Sequence, residues 1–408
     1  MSPVLYTVTG ADRPGVTAGL LESLHASGAE VVDAEQIVIR GELVLCLLLR
    51  MELTQRYEVT ESLRRAAAAE GMHLAVDDEP AVEDPRRRGR VLVTVMGEPL
   101  CPTALAGVTR RIADLGGNID RIERLAGYPL VVLRLTVSGA HEAALREALA
   151  AESAAGGLDL AVQRMALARR GTHLVVMDVD STLIQDEVIE LIARHAGCEE
   201  RVREVTEAAM RGELDFAESL RARVALLEGV PASALDEVRD AVRLTPGART
   251  LCRTLKRLGY RIAVVSGGFS QVVAPLAASL GVDYALANEL EVADGRLTGR
   301  VVGPIVDRRG KADALRRFAE ASGIPLEQTV AIGDGANDVD MISLAGLGIA
   351  FNAKPALKAA ADTSVNVPYL DAVLHVLGIS REEIDAADED DRATTAAAAL
   401  TSPGTPRN

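Results

Sequence analysis

Two pairs of carboxylates stand at positions suited to chemistry on phosphate. Asp178 and Asp180 follow the apolar run LVVM, and Asp334 and Asp338 belong to the segment GDGAND after the run TVAI. Paired carboxylates can divide the roles of covalent nucleophile and general acid–base catalyst. Carboxylates with few other protein ligands also suit Mg²⁺, which keeps several waters and binds substrate oxygens. The sequence therefore predicts metal-assisted chemistry at these positions.

Three further segments could bind a phosphate group. Ser266, Gly267 and Gly268 follow the run IAVV, and a hydroxyl beside flexible backbone amides suits a phosphate. Lys311 opens a predicted helix and offers a mobile positive charge. Asn337 stands within the second carboxylate segment and could position the phosphate or its neighbours.

Four short apolar runs must position these residues, and polar residues or glycine close each of them. The runs span 173–178, 261–268, 329–335 and 347–353. Near-continuous apolar strands that alternate with helices predict a parallel sheet covered on both faces. Ligands of such sheets bind outside the carboxyl ends of the strands. We therefore expect Asp178, Ser266 and Asp334 to meet in one crevice of an α/β domain.

The N-terminal part of the sequence contains two copies of one unit. A shift of 88 residues places Pro14 on Pro102 and Gly19 on Gly107. Each copy reads as strand, helix, two strands, helix and strand. This βαββαβ order predicts an antiparallel four-stranded sheet with two helices on one face.

Composition divides the chain into four predicted regions. The two repeats occupy residues 1–85 and 90–170, with a charged linker between them. The α/β domain occupies residues 171–380, and a helical insertion at about 188–245 interrupts it. The acidic segment 381–408 is predicted to be a disordered tail with at most a short helix at its start.

Charge and hydropathy exclude several classes of function. The net charge of −15 and the absence of Trp argue against a nucleic-acid binder. The sequence has no run of 18 apolar residues, so no membrane-spanning helix is predicted. The start of the chain does not have the pattern of a secretory signal. The four cysteines are scattered, which is typical of reduced thiols. We therefore expect a cytoplasmic protein with no membrane or nucleic-acid partner.

The ordered motifs DVDST, SGG, Lys311 and GDGAND resemble those of the haloacid dehalogenase superfamily of phosphotransferases. The resemblance implies a Rossmann-like core with a small helical cap. It also implies that Asp178 attacks phosphorus and becomes an aspartyl-phosphate, and that Asp180 serves as general acid and base. Mg²⁺ would be held by Asp178, by the backbone carbonyl of Asp180 and by Asp334. Asp338 would support these groups without binding the metal directly.

The same resemblance implies that the other motif residues bind the phosphate. Ser266, Gly267 and Lys311 would neutralise the phosphate oxygens, and Asn337 would position them.

The cap segments AMRGELDFAESLRARV and DEVIELIA resemble the branch of the superfamily that hydrolyses O-phospho-L-serine. The resemblance implies that Glu187 binds the substrate ammonium and Arg223 its carboxylate. Met210 and Phe216 would form an apolar lid, with Gly268 near the substrate amine. On the residues alone, Arg223 could equally be a solvated helix charge, and Met210 and Phe216 could be ordinary cap core.

The N-terminal repeats resemble ACT regulatory domains through their element order and the loop GADRPG of the first copy. The resemblance implies a homodimer and an effector site for an amino acid. L-serine is the candidate effector, because the repeats accompany a predicted serine-producing site. Asp12, Gly15, Gly19 and Gly107 are the candidate effector residues. Alternatively, the glycines only pack helix against strand.

Together these patterns predict Mg²⁺-dependent hydrolysis of O-phospho-L-serine as the last step of serine biosynthesis. One alternative is a broader phosphomonoesterase, or a phosphotransferase that passes the phosphoryl group to another alcohol. The alternative outside enzymes is an amino-acid sensor with an inactive catalytic domain.

Overall fold

The computed structural model describes residues 2–25, 27–80, 90–165, 171, 173–210 and 215–401. The chain divides into two compact units, Met1–Pro85 and Arg86–Asn408. The predicted linker lies outside the described residues. None of the described helices is long and apolar enough to cross a membrane.

The first unit is a four-stranded antiparallel sheet with two helices, as the repeat predicts. The strands pair in the order β2-β3-β1-β4. Burial alternates along β3, which is expected for a sheet with one face in the core. The elements are β1 (Ser2–Ala11), α1 (Val16–Glu22), β2 (Glu30–Ile39), β3 (Glu42–Met51), α2 (Arg56–Ala69) and β4 (His73–Asp77).

The second unit begins with the other repeat, which has the same element order. Its strands pair in the order β8-β5-β7-β6, which matches the order in the first unit. The elements are β5 (Arg90–Gly97), α3 (Pro102–Asp114), β6 (Asn118–Ala126), β7 (Val131–Ser138), α4 (Glu142–Gly156) and β8 (Asp159–Arg164).

The predicted parallel sheet follows, and its short central strands are buried along their whole length. Strands β11-β10-β9-β13-β14-β15 run parallel, and β12 pairs antiparallel with β11 at the edge. The strands are β9 (Leu174–Met177), β10 (Arg261–Phe269), β11 (Tyr284–Ala293), β12 (Arg296–Val302), β13 (Thr329–Gly333), β14 (Leu347–Phe351) and β15 (Thr363–Val365).

Helices cover the sheet, and four of them, α5 to α8, form the insertion between β9 and β10. A capping box at Asp215 and Glu218 begins α7. The helices are α5 (Val188–His195), α6 (Glu199–Met210), α7 (Phe216–Ala225), α8 (Ala234–Ala241), α9 (Ala248–Arg257), α10 (Ser270–Ser279), α11 (Arg308–Ser322), α12 (Val339–Leu344), α13 (Pro355–Lys358), α14 (Ala372–Val376) and α15 (Arg381–Thr401).

The two sheets of the second unit are continuous. Strand β8 of the repeat pairs antiparallel with β15 through Ala161 and Thr363, so one sheet has 11 strands. Asp159 at the start of β8 is buried and accepts hydrogen bonds of 2.6 Å from the backbone and side-chain nitrogens of Asn366. The sequence alone gave no sign of this junction.

The C-terminal segment differs from the predicted disordered tail, because residues 381–401 form helix α15. Ile384 is buried in the core of the second unit. Asp388 accepts hydrogen bonds from Arg253 (2.6 Å) and Arg257 (2.5 Å) of α9. Burial and these charge pairs give the helix partners that its composition does not reveal.

Candidate active site

The carboxyl ends of β9, β10 and β13 meet at a cavity of about 740 Å³. Residues that follow these strands line it together with residues of the cap helices. The residues that line the cavity include Asp178, Asp180, Glu187, Phe216, Arg223, Gly267, Gly268, Asp334 and Asn337. Nearly all the residues that the motifs single out are thus brought to one place.

A buried lysine joins two carboxylates at the floor of the site. Lys311 Nζ lies 2.7 Å from Asp178 Oδ1 and 2.7 Å from Asp338 Oδ1, and all three side chains are buried. Burial and the charge of Asp338 raise the pKa of Asp178 well above its usual range. Burial alone would lower the pKa of Lys311, but the two carboxylates outweigh it and raise that pKa. Lys311 is therefore charged, and Asp178 needs further positive charge to ionise readily.

A tight turn presents Asp180 to the cavity. Ser181 adopts φ 57°, which reverses the chain after β9. Asp180 accepts hydrogen bonds from the backbone nitrogen of Val188 (2.8 Å) and from Ser266 Oγ (2.9 Å). Burial raises the pKa of Asp180. A raised pKa favours the protonated carboxyl, which is the form that a general acid requires.

Gly268 packs closely against the same turn. A Cβ at Gly268 would lie 2.9 Å from both Asp180 Oδ2 and Ser266 Oγ. The backbone nitrogen of Gly268 donates to Ser266 Oγ at 2.7 Å. Only glycine fits here, and the Ser266 hydroxyl donates to Asp180 in this structure instead of facing the cavity.

The acidic cluster can hold a divalent cation. Carboxylate oxygens of Asp178, Asp334 and Asp338 lie within 4.8 Å of one another. Asp338 already accepts from Lys311 and from the backbone nitrogens of Asp334 (3.2 Å) and Gly335 (3.1 Å). Its oxygens are therefore engaged, which leaves Asp178 and Asp334 as the available ligands. Burial and the charge of Asp338 raise the pKa of Asp334 to about 6, so a cation would stabilise its ionised form.

Two opposite charges line the cap side of the cavity. Glu187 accepts a hydrogen bond from Ser181 Oγ at 2.9 Å. Desolvation and the charge of Asp180 raise the pKa of Glu187 to about 7. Arg223 donates from Nε to the backbone carbonyl of Ser219 at 3.3 Å and makes no salt bridge with any described residue. No described residue pairs with its other guanidinium nitrogens, so these donors can serve a ligand.

The apolar lid is described only in part. Phe216 lies over the turn at Gly267, because a Cβ at Gly267 would be 3.3 Å from Phe216 Cζ. The side chain of Met210 lies outside the described residues.

Several cavity residues were not expected from the sequence. Glu190 lies one helical turn after Glu187, a spacing that could have revealed it. Lys354 lies three residues after the end of β14, so the rule that placed Asp178 at a strand end could have found it. The other unexpected lining residues are Ile189, Thr206, Ser219 and Leu220. All but Thr206 lie in the cap segments that carry the resemblance, but nothing in their residue types singled them out.

The candidate effector residues have different surroundings. Gly15 adopts φ 94° at the start of α1, and a Cβ at Gly19 would meet nothing within 4 Å. Asp12 donates its backbone nitrogen to the Gly41 carbonyl at 2.7 Å. A Cβ at Gly107 would lie 2.6 Å from Glu152 Oε2 of α4, so that glycine permits helix packing. The backbone is therefore open at Gly19, whereas Gly107 faces the side chain of Glu152.

Comparison with protein families defines the class of this protein. Residues 175–343 match the haloacid dehalogenase-like hydrolases, and residues 2–77 and 91–163 each match an ACT domain. The predicted fold class, an α/β phosphatase core preceded by two ACT domains, is confirmed.

Curated relatives identify the family. The chain is 59% identical to a phosphoserine phosphatase of Streptomyces coelicolor over 94% of both chains. It is 50% identical to phosphoserine phosphatase SerB2 of Mycobacterium tuberculosis, over 95% of this chain and 96% of that protein. A solved structure of a probable phosphoserine phosphatase from Vibrio cholerae has a TM-score of 0.59 and 34% identity over 76% of this chain and 91% of that chain. The chain belongs to the phosphoserine phosphatase family and is a phosphatase, as its motifs predict.

Proposed function

We propose that the chain hydrolyses O-phospho-L-serine to L-serine and phosphate through an aspartyl-phosphate on Asp178. The observation that carries the proposal is the single cavity in which Asp178 and Asp180 meet Glu187 and Arg223. The first pair supplies the chemistry of phosphoryl transfer. The second pair matches the ammonium and carboxylate of a free α-amino acid.

In the first step, Asp178 attacks phosphorus and the bond from phosphorus to the serine oxygen breaks. Asp180 donates its proton to the departing oxygen, so serine leaves as a neutral alcohol. In the second step, Asp180 takes a proton from a water that attacks the aspartyl-phosphate. Phosphate leaves, and both carboxyls return to their starting states. The raised pKa of Asp180 supports both proton transfers.

The phosphate oxygens need donors throughout. Lys311 is charged and adjacent to Asp178, and the backbone amides near Gly267 and Asn337 border the cavity. Ser266 would rotate its hydroxyl from Asp180 to the phosphate. These groups stabilise the charge that spreads over the phosphoryl oxygens.

Mg²⁺ is the proposed metal, held by Asp178, Asp334 and the backbone carbonyl of Asp180. When bound it would neutralise charge on the phosphoryl group and on the nucleophile. The fit rests on the donor set, which is all oxygen and carries an excess of negative charge over Lys311. Asp338 would hold Lys311 and the Asp334 loop in place without binding the ion.

Glu187 and Arg223 would select the serine moiety. A guanidinium can hold a carboxylate through two parallel hydrogen bonds, and a carboxylate at the other end suits an ammonium. Phe216 and Met210 would cover the bound substrate and exclude water.

The reaction would be the last step of serine biosynthesis and would take place in the cytoplasm, which agrees with the four free cysteines. The ACT domains would bind an amino acid such as L-serine and join two chains. Edge strand β2 supports the dimer, since Val31, Ile37 and Ile39 are 51%, 48% and 60% exposed. Titration calorimetry with L-serine tests the effector proposal. The absence of any heat of binding would contradict it.

The first experiment compares two substrates. Release of phosphate from O-phospho-L-serine and from p-nitrophenyl phosphate is measured with Mg²⁺ for the wild type, Asp178→Asn and Arg223→Ala. We expect Asp178→Asn to be inactive on both. Arg223→Ala should lose about 10²-fold or more in kcat/KM on phosphoserine and keep p-nitrophenyl phosphate hydrolysis, because only phosphoserine has a carboxylate.

The other outcomes point to the alternatives. Equal losses on both substrates in Arg223→Ala would favour a broader phosphomonoesterase. Transfer to an added alcohol in place of water would favour a phosphotransferase. A wild type that releases phosphate from neither substrate would contradict the proposal altogether.

A further inference from the structure

The active-site cavity carries an excess of negative charge. Five carboxyl groups of the described residues line it, those of Asp178, Asp180, Glu187, Glu190 and Asp334. The whole chain is also acidic, with a net charge of −15. A phosphate dianion therefore approaches against the field of the protein, and local cations must offset that field.

Among the residues that the structure describes, two cations line the same cavity, Arg223 and Lys354. Arg223 lies on cap helix α7 and is the proposed partner of the substrate carboxylate. Lys311 is buried beneath the cavity and already contacts two carboxylates. Among the described residues that line the cavity, Lys354 is thus the exposed cation on the phosphatase core. Its charge has no other assigned role.

The backbone fixes Lys354 beside the loop that contains Asp334, one of the proposed metal ligands. Its backbone nitrogen donates to the carbonyl of Asp334 at 3.0 Å, and α13 begins at the next residue. Its side chain is exposed and makes no salt bridge with a described residue. A flexible, hydrated ammonium is suited to meet a phosphate in solution and to release it afterwards.

We propose that Lys354 is the docking cation of the phosphate group: it attracts the dianion into the cavity and stabilises its first bound position. In this role it binds the phosphate before the reaction and after it. It therefore affects the capture of substrate and the retention of product more than the chemical step. The inference rests on the phosphatase activity and is independent of how the serine moiety is bound.

The test compares Lys354→Met with wild type at ionic strengths of about 0.01 M and 0.15 M, where the Debye lengths are about 30 and 8 Å. Both O-phospho-L-serine and p-nitrophenyl phosphate are assayed at saturating Mg²⁺. We expect kcat/KM to fall about three- to tenfold on both substrates at low salt, with a smaller loss at high salt and kcat unchanged. Inhibition by inorganic phosphate should weaken in parallel, and Lys354→Arg should restore both properties.

Lys358→Met is the matched control. Lys358 ends the same short helix, is exposed and does not line the active-site cavity. It should match wild type at both salt concentrations. The proposal is overturned if Lys358→Met loses as much as Lys354→Met, if kcat/KM or its salt dependence does not change, or if the loss lies in kcat or in the Mg²⁺ requirement. If the wild type hydrolyses p-nitrophenyl phosphate but not O-phospho-L-serine, the assignment of phosphoserine as substrate is contradicted. The role of Lys354 is then tested by kcat/KM for p-nitrophenyl phosphate.

Discussion

At the scale of single residues, the site separates its charges by depth. Lys311 is buried between Asp178 and Asp338, where removal of one partner leaves an uncompensated charge. Glu187 and Arg223 stand at the cavity, where a ligand can reach them. In the proposed function, the buried group would hold the catalytic geometry, and the accessible group would recognise the substrate.

The pKa of Glu187 gives a prediction for pH dependence. With a pKa of about 7, Glu187 is neutral at lower pH and ionised at higher pH. Only the ionised form attracts the substrate ammonium, so kcat/KM for O-phospho-L-serine should gain a rising limb up to about pH 7. In Glu187→Gln, the pH profile of kcat/KM for O-phospho-L-serine should lack this rising limb, and kcat/KM above pH 7 should be lower than in the wild type.

p-Nitrophenyl phosphate is the control, since it has no ammonium. Titration of Asp334, with a pKa of about 6, affects both substrates. The ratio of the two kcat/KM values, compared between wild type and Glu187→Gln across pH 5 to 9, isolates the contribution of Glu187. An unchanged ratio in the variant would show that Glu187 does not bind the ammonium.

The strand-end rule predicted where Asp178, Ser266 and Asp334 would meet, because parallel strands carry their following residues to one edge. The rule could not predict the orientation of the Ser266 hydroxyl. That orientation depends on the turn at Ser181, which brings Asp180 within 2.9 Å of it. Hydrogen-bond partners are set by such turns and not by the periodicity of a sequence.

At the scale of elements, apolar runs and turn residues predict strands and turns well where the signal lies in the local sequence. The hairpin of β11 and β12 turns at Asp294 and Gly295, both with positive φ, as the Asp-Gly pair predicts. Helix α15 was missed, because an acidic, alanine-rich composition resembles a disordered segment. The partners that stabilise it, Arg253 and Arg257, lie more than 130 residues earlier in the chain.

The structure predicts that α15 is an integral part of the second unit. Ile384 is 1% exposed, so Ile384→Ala should lower the free energy of unfolding by about 2 kcal/mol or more. Glu389→Ala on the same helix is the control, since Glu389 is exposed and makes no salt bridge with a described residue. Chemical unfolding measures both. Two small and equal effects would show that the helix does not pack in solution.

At the scale of the whole molecule, the second repeat shares its buried core and its sheet with the phosphatase strands. The core around Leu47 contains residues of the first unit only. In the second repeat, Met96, Val132 and Ala161 belong to the same buried cluster as the phosphatase strands. The continuous sheet adds backbone pairing between β8 and β15. We infer that the second repeat and the phosphatase core unfold together.

Equivalent leucines in the two repeats test this inference. Leu47 and Leu135 are related by the 88-residue shift, and they are 1% and 0% exposed. Each leucine-to-alanine change should cost about 2–5 kcal/mol in its own unit. Leu135→Ala should therefore lower the temperature at which phosphatase activity is lost by about 5–10 °C, although Leu135 does not line the active-site cavity. Leu47→Ala should leave that temperature unchanged while calorimetry records an earlier transition of the first unit. Equal effects of both changes on the loss of activity would mean that the two units unfold as one.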